Sequence, residues 1–456
     1  MNIYLHVEVA VRELDSKLLL GVLAAAKGHE VIVSTMGEII KGLKKGVLKP
    51  GIFHTKSLTP SKSKIQRHKE IIETNSLITA IDEEHGLFIE GYDQFAIDRF
   101  SDESIGQSSA VFGWGSEDTE TLKNIYPKNS KKIFKTGSPR ADLWRSIFAN
   151  YWINPKGMPM KPFLLVSSNM ISTEFLPFHQ NIKLLKELGA FNRDPKLFKK
   201  RFYAVSEDFK KLHEFIEAII YLAKNNNGYD IVVRPHPQED IDTWKIFLED
   251  IPNVHVLRQD SITAWVKNAF GVMHNGCTTA LEATVSGKEV FTFNPFDMEY
   301  DNKLFNTLGY NLKSKEELLK KVNETFKNSN FNKNKERAIN LTNLISKKIY
   351  IDENKLAAEK ILKIWESLNN DKISVPNNWL KYHLFIKSIS LKRISLNFFA
   401  KLFPDNFKSI KKNHKFPPLE ANDILARINR LQQILGIKKK IECKLISNRT
   451  ILIKSS

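Results

Sequence analysis

The stretch Val272–Ala283, VMHNGCTTALEA, decides the fold. Ala269 to Met273 is apolar and strand-like; it gives way to His274-Asn275-Gly276, then to Cys277-Thr278-Thr279, and then to a helix-forming run. A linker would be looser and more polar. A strand that passes directly into a helix through a tight turn leaves backbone N–H groups to be satisfied by something outside the helix. Thr278 and Thr279 suit helix capping, and Glu282 stands where a capping-box acid belongs. Capping explains the threonines but not His274-Asn275-Gly276. A helix N-terminus also attracts anions, by about 0.3–1 kcal/mol and up to ~2 kcal/mol when partly buried. Phosphate is therefore the ligand this turn is expected to take, with His274, Asn275, Thr278, Thr279 and Glu282 around it.

Outward from this turn the same alternation recurs. IYLHVEVAV is strand-like, SKLLLGVLAAAKG is helical with Gly28 where the helix should end, and HEVIVST is the next strand. That order calls for a parallel sheet with right-handed crossovers. SLITAIDEE, SSAVFGWG and KKIFKTGSPRADLW continue the series. Residues 152–162, WINPKGMPMKP, carry three prolines and a glycine and mark a boundary. A second series follows in FLLVSSNM, YDIVVRPHP, NVHVLR, AFGVMHN and KEVFTFNPF, with an amphipathic helix over 210–224. The expected fold is α/β, with two doubly wound Rossmann-like domains, 1–152 and 162–370, facing a cleft. Residues 314–370 are read as helical and closing the second domain. Residues 371–456 are read as a basic, largely helical extension.

Composition bounds the function. The chain has 456 residues, 42% apolar and 26% charged, with a formal net charge of +18. Residues 371–456 hold 18 Lys/Arg against 5 Asp/Glu, and the rest holds 51 against 46. The basic tail suits an anionic membrane surface or a nucleic acid, but no nucleic-acid motif accompanies it, so no nucleic-acid partner is expected. WLKYHLFIKSISLKRISLNFFAKLF fits an interfacial amphipathic helix and equally a helix packed back on the first domain. No apolar run is long enough to span a bilayer, and MNIYLHVEVAV lacks the flanks of a signal peptide, so a cytoplasmic protein is expected. Cys277 and Cys443 are the only cysteines, with no zinc-type spacing around them. GxGxxG, Walker, HExxH and GxSxG patterns do not occur, which removes support for nicotinamide, P-loop, zinc-protease and serine-hydrolase chemistry.

Two further groups could carry chemistry. In VVRPHPQED, residues 232–240, Arg234 and His236 alternate with prolines that stiffen the strand end, an arrangement suited to phosphate or nucleotide. A proline-terminated strand with solvated side chains is the plainer reading. Asp240 and Asp242 read as a helix start rather than a metal pair. ITAIDEEHG runs a strand into Asp82-Glu83-Glu84. A carboxylate there could serve as base or nucleophile, or the three could form a solvated acidic turn. Lys17, Lys56-Ser57 and Arg140 are weaker candidates for holding an acidic sugar.

RPHP followed by HNGCTTALEA resembles the C-terminal half of bacterial capsule-type glycosyltransferases, the polysialyltransferases and capsule Kdo transferases among them. VAVRELDSKLLLGVLAAAKGHEV, LKPGIFHTKSL, ITAIDEEHGL, FGWGSEDTETL and TGSPRADLW together are similar to the bacterial surface carbohydrate biosynthesis family, in order over residues 1–370. The resemblance implies a GT-B architecture and transfer of Kdo (3-deoxy-D-manno-octulosonic acid) from CMP-Kdo, with retention and without a metal or other cofactor. It places Arg234 and His236 on the cytidylate and His274, Asn275, Thr278 and Thr279 at its phosphate. Asp82, Glu83 and Glu84 would face the sugar, with Asp82 the first choice for nucleophile, and Lys17, Lys56 or Arg140 would hold the Kdo carboxylate. The acceptor would be a glycan or a lipid-linked glycan at the cytoplasmic face of the inner membrane. Another donor, a UDP-sugar or CDP-glycerol, and a non-catalytic assembly factor are the competing readings.

Overall fold

The computed structural model describes all residues except 85–91, 171–177, 188, 238, 297–302, 332–342, 369–376 and 390–414. The first series of strands is β1 (Asn2–His6), β2 (Glu30–Ser34), β3 (Ile52–Thr55), β4 (Leu77–Ile81), β5 (Ala110–Gly113) and β6 (Ile133–Lys135). The second is β7 (Phe163–Ser167), β8 (Asp230–Arg234), β9 (Val254–Val256), β10 (Gly271–His274), β11 (Glu289–Phe293) and β12 (Tyr310–Leu312). Every pairing within each series is parallel. Strands such as NIYLH and FLLVS are buried along their whole length, as strands covered on both faces by helices must be.

The chain forms two compact units. In the first, the sheet runs β2-β1-β3-β4-β5-β6, the reversal falling at β1. Helix α1 (Ala10–Ala26) crosses from β1 to β2; Ala and Leu favour it, and it gives way at Lys27 to Gly28, whose φ of 86° a side chain would resist. It buries Glu13, Asp15 and Lys17 along with its leucines, which is not what a covering helix needs. Helices α2 (Met36–Lys44) and α3 (Lys62–Ile72) are capped by Thr35 and Ser61, each accepting a backbone N–H. In the second unit the order is β9-β8-β7-β10-β11-β12, the reversal falling between β7 and β10.

The boundary near residue 152 marks one crossing between units, but the chain returns. The first unit comprises Met1–Leu87, Gly91–Leu143 and Thr342–Ser456. The helix Ala357–Leu368, expected to close the second domain, belongs to the first: the Asp142 carboxylate accepts the N–H groups of Ala357 and Ala358, both at 3.0 Å, and Trp365 donates to Thr79 at 3.0 Å. An apolar stripe reports that a helix face is buried, not which sheet buries it.

The described part of the basic tail also packs on the first unit. Tyr382 and Ile386 join its core, and Trp379 donates to Glu30 at 3.0 Å; residues 390–403 of the amphipathic stretch lie outside the described residues. Beyond the helix Ala421–Ile434 the chain adds β13 (Ile441–Ser447) and β14 (Thr450–Ser455), a hairpin whose β14 pairs antiparallel with β2. This hairpin is missing from the helical reading of the extension. Its signal was present, two β-favouring runs separated by Asn448-Arg449. Among the described residues no helix is long and apolar enough to cross a membrane.

Candidate functional site

Open parallel sheets take ligands beyond the carboxyl ends of their strands, where the strand order reverses. In the first unit that place lies after β1 and β3. His6 and Glu8 come from β1, Thr55, Lys56 and Ser57 from β3, and Asp82, Glu83 and Glu84 from the end of β4.

Most of the charge there is buried. Lys17 meets Glu83 at 2.7 Å, and the second Glu83 oxygen has no hydrogen bond. Lys56 meets Glu8 at 3.0 Å and Glu13 at 3.6 Å. Glu13 accepts the Glu8 N–H at 2.8 Å through Oε2, while its Oε1 accepts no hydrogen bond. Burial, and after it the charge of Glu83, pushes the Glu13 carboxyl above the usual range. The sequence reading passed over Glu13. Its only trace is the spacing to Lys17, which puts both on one helical face.

Asp82 and Glu84 are held differently. Arg99 donates from Nε and Nη2 to the two Asp82 oxygens, both at 2.9 Å, and the Glu84 N–H donates to Asp82 at 3.0 Å. Glu84 is bridged by Arg12 at 3.0 Å and Arg99 at 3.3 Å. Burial would raise its pKa, but the two guanidinium charges prevail and lower it. Asp82 is thus anchored by a two-pronged arginine bond, an arrangement that fixes geometry. Ser57 accepts from Lys64 at 2.6 Å. Arg140 sits on the short helix Pro139–Asp142 after the edge strand β6. A cavity of about 210 Å³ opens beside this cluster, lined by His6, Glu8, Thr35, Lys64, Arg67 and Phe416 among others.

In the second unit the reversal lies between Ser167-Ser168-Asn169 and the opening stretch, His274 to Thr279. His274 is fully buried, and burial lowers its pKa to about 3. The neutral ring accepts the Gly276 N–H at Nδ1, 2.9 Å away, so Nε2 carries the proton and donates to Thr292 Oγ1 at 2.9 Å. Thr292 in turn donates to the Leu308 carbonyl at 2.9 Å. His274 therefore shapes the turn rather than touching a ligand. Gly276, at φ 93°, completes it. Thr278 makes no side-chain cap bond, and the Thr279 hydroxyl is met by Ser167 at 3.1 Å, so the capping explanation does not hold for Thr278. Asn275 points its amide nitrogen at Met170 Sδ, 3.0 Å away, and leaves a buried amide oxygen without a protein partner. Glu282 is buried one turn into the helix Thr279–Val285.

Arg234 is placed unlike its expected role. Both terminal guanidinium nitrogens donate to main-chain carbonyls, Gln259 on one and Asp260 (3.1 Å) and Arg258 (3.4 Å) on the other, and the group lies 5.5 Å over Trp265. Its work is to hold the turn at Asp260, whose φ is 60°. His236 is half-buried; burial, then the Arg258 charge, lowers its pKa. Glu239, which the sequence did not single out, accepts from Ser168 (2.7 Å), the Met170 N–H (2.7 Å) and Trp244 (2.9 Å), tying the loops after β7 and β8 together. Among the described residues no group of His, Cys, Asp or Glu is arranged to hold a metal ion.

These features define a two-unit α/β protein with polar residues gathered at the switch point of each sheet. No protein-family profile and no curated protein matches the sequence. Solved structures of low identity do. The S. aureus MnaA–UDP structure is 13% identical, covering 81% of this chain and 98% of its own at a TM-score of 0.44. The UDP-GlcNAc 2-epimerase of Methanocaldococcus jannaschii is 12% identical, covering 80% and 100% at 0.47. A variant of the wall teichoic acid polymerase TagF is 12% identical, covering 69% and 72% at 0.39. At such identities and superpositions, none of these proteins' substrates transfers to this chain.

Proposed function

We propose that this chain is a nucleotide-sugar-dependent glycosyltransferase of GT-B type in bacterial surface polysaccharide synthesis, transferring Kdo from CMP-Kdo. The observation that carries the nucleotide is the turn His274–Thr279 at the switch point of the second unit. There a neutral histidine and a glycine at φ 93° hold a turn that presents the Thr278 hydroxyl, which makes no cap bond, and the Asn275 oxygen to a ligand. Half-buried His236 would add a neutral donor. The preference for cytidylate rests on the likeness of RPHP and HNGCTTALEA to capsule-type transferases.

The chemistry falls to the first unit's buried acids. In a retaining transfer a carboxylate attacks the anomeric carbon, and the bond pair to the phosphate oxygen leaves with CMP. An acceptor hydroxyl then displaces the carboxylate, giving its proton to a base. Glu83, with one oxygen unengaged, takes the first role; Glu13, with a raised pKa, takes the second. Lys17 and Lys56 balance these charges, Lys17 from a fully buried position, so that of the two Lys56 is the cation offered to an acidic sugar. Asp82 positions the turn through Arg99. No metal is called for. The acceptor is a glycan, free or lipid-linked, used at the cytoplasmic face of the inner membrane.

Calorimetry with CMP, CDP, UMP, UDP and GDP, without added metal, tests the reading. Selective CMP binding is expected. Preference for UDP, the nucleotide in the MnaA structure, or for GDP would discard CMP-Kdo, and no binding to any of them would discard the nucleotide role of the turn. Gly276→Ala would strain that turn by about 1–2 kcal/mol and re-aim its N–H groups. It should weaken nucleotide binding by roughly tenfold. Unchanged affinity would show that the turn is not the site.

A further inference from the structure

Singly exposed apolar side chains are ordinary on a protein surface. The helix Leu197–Asn225 departs from this. Its second half is anchored by Leu212, Phe215, Ile216, Ile219 and Leu222 in the core of the second unit. Its first half exposes Phe198 by 45%, Phe202 by 49% and Phe209 by 54%. At 3.6 residues per turn these three fall within about 40° of one another, so they form one stripe. Tyr203 stands beside it, its ring edge-on to Phe202 at 5.8 Å. Lys199 and Lys210 lie along one flank of the stripe and Arg201 along the other. The acids nearby are Asp194, Glu207 and Asp208, and Asp194 is paired with Lys200 at 2.9 Å.

We propose that this first half of the helix docks the protein on an anionic lipid surface. Three phenylalanines exposed on one helix face would insert at the level of the acyl boundary. The cations on both flanks would meet lipid phosphates, their stems lying along the apolar face. Charge complementarity selects the partner: a neutral bilayer would use the rings but not the flanks. The site lies outside the basic tail and is independent of which nucleotide the protein binds.

Full-length protein is sedimented with vesicles of phosphatidylglycerol in phosphatidylcholine, and with phosphatidylcholine alone. Binding to the first, weakened by salt, is expected. Phe198→Ser/Phe202→Ser/Phe209→Ser should lose affinity by about tenfold per ring, with the thermal unfolding midpoint unchanged. Lys199→Glu/Lys210→Glu should weaken binding and reduce its salt dependence. The proposal is overturned if the wild type ignores phosphatidylglycerol, if it binds phosphatidylcholine equally well, or if the triple variant binds as the wild type does. A wild-type dimer that the triple variant converts to monomer would assign the stripe to a second copy instead, and would also overturn it.

Discussion

Acidification from pH 7 to about pH 4 is expected to unfold this protein, and His68→Leu to move the midpoint downward by about half a unit. Among the described residues four histidines are buried: His6, His54, His68 and His274. Burial is the leading cause of depression in each, helped by Lys56 at His6, Lys17 at His54 and Lys64 at His68. His6 and His274 are lowered to about 3, His68 to about 4, and His54 well below its ordinary value. Below an unfolded pKa near 6.5 the unfolded chain takes up protons that the folded rings refuse. Their contribution is therefore whole above about pH 6.5 and is lost as pH falls toward the folded values.

Each histidine removes about 1.4 kcal/mol per pH unit, so four outrun a typical stability of about 5–15 kcal/mol within two to three units. Glu13 works in the opposite sense, because its raised pKa favours the folded state in acid, but it is one group against four. His68 is the informative substitution. Neither of its ring nitrogens has a hydrogen-bond partner, so leucine removes a proton acceptor without breaking a bond. Far-UV circular dichroism against pH reads the result. A wild type still folded at pH 4, or a His68→Leu midpoint equal to it, would show that these rings do not set the acid limit.

Lys17→Met is expected to destabilise the first unit by about 3–5 kcal/mol, and Lys17→Met/Glu83→Leu to recover most of that loss. The two side chains are 1% and 3% exposed and 2.7 Å apart. Removing the lysine leaves the Glu83 charge buried without its partner and beside Glu13, whose carboxyl it already perturbs. Removing both charges takes away the desolvation cost with the attraction, which is why apolar replacement of a buried pair is often neutral. Urea unfolding read by hydrogen exchange in β1 and β4 separates this unit from the other. Additive losses would mean that the pair does not interact energetically. If the double variant is stable yet inactive in transfer, the pair is present for chemistry rather than for folding.

Several parts of this architecture are legible along the chain because they rest on neighbours in sequence. The apolar strands, the Ala/Leu helix ending at Gly28 and the Pro-rich passage at 152–162 are local signals of period, cap and breaker. The turn at His274–Gly276 is legible for the same reason: an apolar strand, a glycine and a helix start stand side by side. The hairpin β13–β14 carried such a signal too, but in a segment dominated by its basic charge.

The roles of individual polar residues are another matter. VVRPHP marks Arg234 and His236 as a pair, yet whether a guanidinium meets a ligand or the carbonyls at Gln259 and Asp260 depends on a loop more than twenty residues away. DEE shows three acids, but only the tertiary placement of α1 gives Glu83 to Lys17, and only the placement of α4 (Tyr92–Arg99) gives Asp82 to Arg99. Glu13 and Glu239 were invisible because nothing beside them in sequence distinguishes a buried acid from a surface one. The sequence by itself determined that this protein is built from two parallel α/β series with a tight strand-to-helix turn in the second, since periodicity, caps and turns are settled between adjacent residues. Tertiary structure alone decided which charges are buried together, which anchor loops, and which unit the last hundred residues complete, because a side chain's partner is set by where its element docks.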